Sequence, residues 1–444
     1  MRRRLTSAGA AAIVMCAMLL AARTAPAGEY TYSVAYSADY SDNLSLTPTD
    51  KKSGLTQVLD SGFNLSQVDR ELDARIAARA SYRYYQNNVF KDESTLGLDG
   101  AIVWKPLPDA FQWSFNDVYT QVAADPTQAD TAANRVNANV FSTGPDIFWR
   151  LNPVNTLQLG ARYATNTFSD TNNTTVAASD ANNTRRSGSA RWFYRYSPLT
   201  TLSISHVTES VRFDDPGVGT NLDFRTNEST VGLVNRRSRN TFSLDIGETR
   251  INRSGQPEVR GGLERLMWSR ELGSDSTFSL TAARGLSDTA SELLAGSGAT
   301  GASGAPLSVS SSDIFTSKTV TLLYSTGLGG GTASFSVFHA QRDFELDLAN
   351  NEDAKGANVQ YSRQFSARVS GGGSLTYTKT YFPVVVREDT DRSVTAGLQY
   401  KFTRTVLGGL TLARRTRRST IETSDFDEDR VVLSIAYNSL PARW

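Results

Sequence analysis

From Tyr30 onward, apolar and polar residues alternate one by one along most of the chain. Tyr30, Tyr32, Val34, Tyr36, Ala38 and Tyr40 fall on one side, and Thr31, Ser33, Ala35, Ser37 and Asp39 on the other. Leu72, Ala74, Ile76, Ala78, Ala80 and Tyr82 repeat the pattern against Asp73, Arg75, Arg79, Ser81 and Arg83. Further runs include Phe111/Trp113/Phe115, Leu157/Leu159/Ala161/Tyr163, Val394/Ala396/Leu398/Tyr400 and Val431/Leu433/Ile435/Tyr437. Successive side chains of an extended chain point to opposite sides, so this period predicts strands with one apolar and one polar face. The chain holds about twenty such segments of roughly 11–15 residues, well above the mean soluble strand of about 5–6. That length suits strands that cross a bilayer at a tilt, which need about 9–11 residues in the apolar band.

The connections alternate between short and long. Short turns fall at Val68–Arg70, Lys105–Asp109, Leu151–Val154, Ser197–Leu199, Arg236–Ser238, Gly273–Asp275, Thr326–Gly330, Gln364–Ser366 and Thr403–Arg404. Longer polar loops lie between them, for example Ser41–Ser53, Ala123–Ala133, Phe168–Asn183, Asp214–Leu222 and Asp288–Ser312. A soluble sandwich has no reason to keep that alternation. The predicted fold class is therefore all-β: a transmembrane antiparallel up-and-down β-barrel of about 20 strands (18–22), with short periplasmic turns and long extracellular loops. Tyr and Trp near segment ends (Tyr82, Trp104, Trp149, Trp192, Tyr400) fit the aromatic girdles of such a barrel. The C-terminal aromatic Trp444 fits as well.

Composition sharpens this. No internal stretch is long and apolar enough for a transmembrane helix. The chain has 20 Phe, 17 Tyr and 6 Trp, too many aromatics for a disordered chain. Arg2, Arg3 and Arg4, an apolar run from Ala8 to Ala22, and Ala25-Pro26-Ala27 form a secretory leader with a small-x-small cleavage site, residues 1–27. The barrel then occupies 28–444. The leader carries Cys16, the one cysteine of the chain, so the mature protein has no disulfide framework, thiolate metal site or cysteine nucleophile. The chain has 46 basic and 45 acidic residues, and the leader takes four arginines and no acid. This near-neutral balance argues against nucleic acid as a partner. Outer-membrane lipid is the expected one, and the bacterial outer membrane the expected location.

If the apolar face meets lipid, the other lines the lumen. Parity then gives candidate pore-lining residues Arg75, Arg79, Arg83, Asp99, Arg162, Arg191, Arg195, Glu228, Asp245, Arg415 and Arg417, among many Ser, Thr, Asn and Gly. The arginines have two readings: a basic lining that favours anions, or ion pairs with neighbouring carboxylates that brace the wall. Near Glu264 and Arg265 either parity exposes a charge, and Gly144-Pro145 is expected to mark a bulge that flips the register. The longest loop, Asp288–Ser312, has two readings, folded inward to narrow the pore or carried outside.

Catalysis finds little in the sequence. Both histidines, His206 and His339, take the apolar parity of their segments, away from a lumenal partner. There is no phosphate loop, no HExxH and no His cluster. The Asn/Asp/Thr run from Asp170 to Asn183 lacks EF-hand spacing and reads as a solvated loop. No enzyme activity, cofactor or metal is expected. The first strand begins directly after the cleavage site, which leaves no room for a plug domain or a secreted passenger.

Tyr40-Ser41-Asp42-Asn43, Arg195-Tyr196-Ser197-Pro198-Leu199 and the whole-chain architecture resemble the outer-membrane β-barrels associated with PEP-CTERM and exopolysaccharide systems. The resemblance implies a channel for exopolysaccharide export, with polysaccharide as cargo. It also implies separate periplasmic export components, since the helical-repeat domain of some exporters is missing here. Two other readings stand beside it: a diffusion porin for small solutes, and a structural or adhesive surface barrel.

Overall fold

The computed structural model describes residues 28–174, 181–216, 222–295 and 313–443. The leader, its cleavage site, most of the longest loop and Trp444 lie outside the described residues, as does part of the Asp170–Asn183 loop. The strands are β1 (Glu29–Ser41), β2 (Gly54–Val68), β3 (Leu72–Tyr85), β4 (Glu93–Leu107), β5 (Phe111–Ala123), β6 (Arg135–Asn152) and β7 (Asn155–Asp170). They continue with β8 (Asn183–Ser197), β9 (Thr200–Phe213), β10 (Phe224–Arg237), β11 (Asn240–Arg253), β12 (Val259–Glu271), β13 (Ser276–Ser287) and β14 (Phe315–Leu328). The set ends with β15 (Gly331–Phe344), β16 (Glu352–Gln364), β17 (Val369–Phe382), β18 (Arg387–Lys401), β19 (Val406–Ser419) and β20 (Phe426–Asn438).

Each strand pairs antiparallel with the next, and β1 closes on β20, from Ser33 opposite Asn438 to Ser41 opposite Arg430. The result is a closed 20-strand antiparallel barrel, and closure leaves no open edge within a membrane. A two-residue stretch, Ala442–Arg443, adds to the pairing of β1 at Tyr30 and Glu29. The turns at one end are tight. Leu328 pairs with Gly331, and between them Gly329 and Gly330 both have positive φ (58° and 78°). Two consecutive positive φ values make the two-residue hairpin turn that matches strand twist, and glycine adopts them without strain.

Register fixes the facing of every side chain. Tyr36, Leu59 and Tyr82 stand side by side across β1–β3, all on the exposed outer face. The next residues, Ala35, Asp60 and Ser81, share the inner face. Arg265 faces inward with Asp245, which leaves Glu264 outward beside Ile246.

The apolar face does not stay outward along the whole strand. On β9–β11, outward Ile204, Val231 and Ile246 are more than half exposed. Nearer the long loops the same strands turn apolar residues inward: Val211, Phe224 and Ile251 pack together with Phe213 and Ile314 and are almost fully buried. On β6, inward Val136, Ala138 and Val140 cluster with Val122, Phe168 and Ala181, whereas Ile147 and Trp149 point outward and are exposed. That switch corrects the expected bulge at Gly144-Pro145. Pairing with β5 runs unbroken through Ser114–Gly144 and Trp113–Pro145, and β7 keeps the same offset on either side of the pair. Gly144 instead allows close approach, since a Cβ there would lie 1.9 Å from the Ala161 carbonyl oxygen. The apolar residues change sides because the inner wall above the membrane band has something to bury.

Part of what lies against that wall is the start of the longest loop. After β13 the chain enters a short helix, α1 (Thr289–Ala295), which reaches across to β6. This segment therefore takes the inward reading.

Candidate functional site in the barrel lumen

Three arginines on the inner wall hold the inward loop. On β8, Arg185 donates to Asp288, Nη1 to Oδ2 at 3.1 Å with a second bond from Nη2 to Oδ1, and to Ser291 Oγ at 3.0 Å. On β15, Arg342 joins Glu292 of α1 (3.0 Å) to Glu352 of β16. On β11, Arg253 meets Asp313 at 3.1 Å, where the loop rejoins the wall. All three guanidinium groups are buried, as are Asp288, Glu292 and Asp313. Buried charges persist only when paired and hydrogen-bonded. Asp288 also accepts from the backbone N–H groups of Ala290 and Ser291, which caps the helix start. Burial pushes the Asp288 carboxyl up, but Arg185 and the Ser291 donors outweigh it and hold the carboxyl below its ordinary value.

Two cavities lie inside the barrel, the smaller against the start of α1. One of about 290 Å³ is bordered by Asp288, Ser291 and Glu292 together with Glu209, Glu228, Arg265 and Thr319. The other, about 730 Å³, lies between the β2–β5 and β16–β19 walls. Arg79 and Arg83 of β3 and Arg415 and Arg417 of β19 line it, with Asp60, Glu352, Asp389 and Asp391. Asp130, in the β5–β6 connection, faces it as well and contacts Arg135 Nε at 3.0 Å. Burial raises its carboxyl, and Arg135, Arg415 and Arg83 together bring it below the ordinary value.

The candidate residues divide between the two readings given to the arginines. Arg83 meets Glu93 at 3.3 Å, Arg162 pairs with Asp146, and Arg415 lies 3.7 Å from Glu428. Arg417 contacts Asp391 at 2.8 Å, and Glu228 takes two hydrogen bonds from Arg265, at 3.1 and 3.3 Å. These charges brace the wall. Arg75, Arg79, Asp99, Arg195 and Asp245 have no ion-pair partner among the described residues. Arg75 and Asp99 border a separate recess of about 470 Å³ with Glu29 and Asn64, and Arg191 lies over the Phe193 ring at 5.8 Å. The lumen thus presents fixed charges of both signs among hydroxyls, a setting for passing hydrated solutes.

Sequence reading missed Arg185, Arg253 and Arg342 as site residues. Their parity was available, because Arg185 shares the face of Arg191. Their partners were not, because nothing in the alternation reveals which wall a loop will touch. His206 bonds Ser229 at 2.9 Å and His339 bonds Asp353 at 3.0 Å, both on the outer face. Among the described residues no group of His, Cys, Asp or Glu is arranged to hold a metal ion.

A closed 20-strand barrel with an apolar outer band, a polar charged interior and alternating short and long connections defines a porin-like protein of the bacterial outer membrane. Residues 342–439 match the family model described as "Putative beta-barrel porin 2". Among solved structures, OccK2 (OpdF) of Pseudomonas aeruginosa is 11% identical, covering 93% of this chain and 98% of that one at a TM-score of 0.39. The outer membrane protein opdK of Pseudomonas aeruginosa is 13% identical, covering 94% and 99% at 0.38. A mutant of the ferric enterobactin receptor PfeA from the same organism is 10% identical, covering 92% and 80% at 0.46. Likenesses this distant assign no ligand to the chain. None of the curated protein sequences compared matches it.

Proposed function

We propose that the protein is a diffusion porin for small polar solutes, narrowed by α1. The observation that carries this reading is the polar cavity of about 730 Å³ flanked by Arg79, Arg83, Arg415 and Arg417, in a barrel whose wall also pins the start of α1 inside. Fixed charges of both signs on a wet wall bind a passing solute weakly and let it go, as conduction requires. In this reading Arg75, Arg79, Arg83, Asp99, Arg162, Arg191, Arg195, Glu228, Asp245, Arg415 and Arg417 line the pore. The porin family model over β15–β20 supports it. Export of a polysaccharide with separate periplasmic components rests on the sequence resemblance alone, and the adhesive reading rests on the loops.

The test is single-channel conductance of the refolded barrel, with liposome swelling in small sugars and with soluble polysaccharide fragments added. A small ohmic conductance with sugar uptake that the fragments leave unchanged is expected. A large conductance blocked by the fragments would favour export instead. A stable barrel with no conductance would leave only a structural role.

A further inference from the structure

Arg186, Arg212 and Arg225 form an exposed patch on the outside of the barrel. Arg186 of β8 and Arg225 of β10 are both opposite Ser210 of β9, so they flank it at about 10 Å, two strand spacings apart. Arg212 lies two residues further along β9. All three take the outward parity of Ile204 and Val231. None has an ion-pair partner among the described residues.

The patch differs from most of the outer charged belt. Arg250 is held by Glu248, Arg260 by Glu258, Arg414 by Asp429, Arg418 by Asp427 and Lys379 by Glu388. Each of those cations is matched by a carboxylate on its own face. At β8–β10 the outward neighbours are instead Thr184, Thr208, Ser210 and Asn227, all hydrogen-bonding groups without charge. Of the nearest acids in sequence, Asp214 and Asp215 lie beyond the end of β9, and Asp223, two residues before Arg225, accepts from the Phe213 N–H at 2.9 Å and makes no ion pair with the patch.

Height along the barrel identifies the surroundings. Ile204 lies in the outward apolar band, and by Val211 the apolar residues have turned inward. Ser210, six residues above Ile204, is about 15 Å higher along the axis of a strand tilted near 40°. Tyr163, opposite Arg186 on β7, is exposed beside the patch, as ring side chains are at a membrane interface. Three guanidinium groups outside ion-pair reach of any carboxylate among the described residues, with Asp223 the one acid beside them, leave an excess of positive charge at the level of the headgroups on the long-loop side, and guanidinium suits phosphate.

We infer that Arg186, Arg212 and Arg225 dock a phosphate-bearing lipid headgroup of net negative charge in the outer leaflet, with Ser210 beneath it. The inference follows from the outward parity and the membrane level, and it does not depend on what crosses the pore.

The test uses the full barrel refolded in neutral detergent, with binding read by native mass spectrometry. The probes are phosphatidylglycerol, phosphatidylcholine with the same chains, and inorganic phosphate. Phosphatidylglycerol should bind more tightly than phosphatidylcholine. Each arginine near a charged membrane surface contributes about a fivefold change, so Arg186→Gln/Arg212→Gln/Arg225→Gln should weaken phosphatidylglycerol binding about a hundredfold. The triple lysine variant should retain most of the binding, and Arg414→Gln/Arg418→Gln should retain all of it. If the triple glutamine variant does not fold, Arg225→Gln alone should show the fivefold loss. Unchanged affinity in the glutamine variants, or equal binding of phosphatidylcholine, overturns the inference. Displacement of the lipid by an equal concentration of inorganic phosphate would show a free-anion site and also overturn it.

Discussion

Arg185 on the barrel wall and Asp288 at the start of α1 form a two-point ion pair inside the lumen, although 103 positions separate them in the chain. Both are buried, so the pair stands or falls as a unit. Removing one partner of a buried pair costs about 3–5 kcal/mol, because the other is left charged and alone. Asp288→Ala should therefore shift α1 from docked to undocked by about two to four orders of magnitude, at 1.4 kcal/mol per tenfold. Single-channel conductance should rise, and a protease should cut the freed loop. Unchanged conductance would mean that α1 does not narrow the pore.

Acid should act on the same latch. The carboxyl of Asp288 is held below its ordinary value of about 3.9. A carboxylate with a lowered folded pKa stabilises the docked state fully above the unfolded pKa and loses that effect as pH falls through the folded one. Burial opposes the charged form, Glu209 faces the pair, and Arg185 prevails. Conductance should be level from pH 8 down to about 4 and rise below that. Asp288→Asn, which lacks the titrating charge, should give high conductance with no acid step.

The unpaired and paired arginines should behave differently. Arg75→Gln/Arg79→Gln removes charges with no carboxylate partner, so it should move the reversal potential in a salt gradient toward cations. A unit charge near the ion path in water-like surroundings is worth about 1 kcal/mol, or roughly fivefold in permeability ratio. Arg417→Gln also strips Asp391 of its partner and leaves Asp389 with Arg387 alone. It should shift selectivity further and lower the unfolding midpoint as well.

An acid on the outer face offers a stability test. Asp117 shares the face of Trp113 and Phe115, yet it is only 1% exposed and accepts from Asn139 Nδ2 at 2.8 Å. Asn139→Leu leaves the carboxyl without that donor at a cost of about 1–3 kcal/mol, readable as a lower urea midpoint in vesicles. Asn139→Gln, which keeps an amide donor, should recover part of the loss.

The alternation determined a great deal unaided. One apolar and one polar face per segment, at bilayer-crossing length, leaves a closed barrel as the sheet that satisfies every backbone group in lipid. It also set the inward side of Arg75, Arg79, Arg83, Arg415 and Arg417, because pairing without a register shift preserves parity from strand to strand. The tertiary structure decided where that rule stops. Val136, Ala138 and Val140 carry the same signal as lipid-facing residues, and their change of side mimics a bulge at Gly144-Pro145. They face inward because Val122, Phe168 and Ala181 pack with them on the inner wall, where α1 also comes against β6. The partnership of Arg185 with Asp288 was equally hidden, since period-2 order assigns a side to each residue and says nothing of what a loop brings against it. Local pattern records solvent preference, whereas contact between distant segments exists only once the barrel has closed around them.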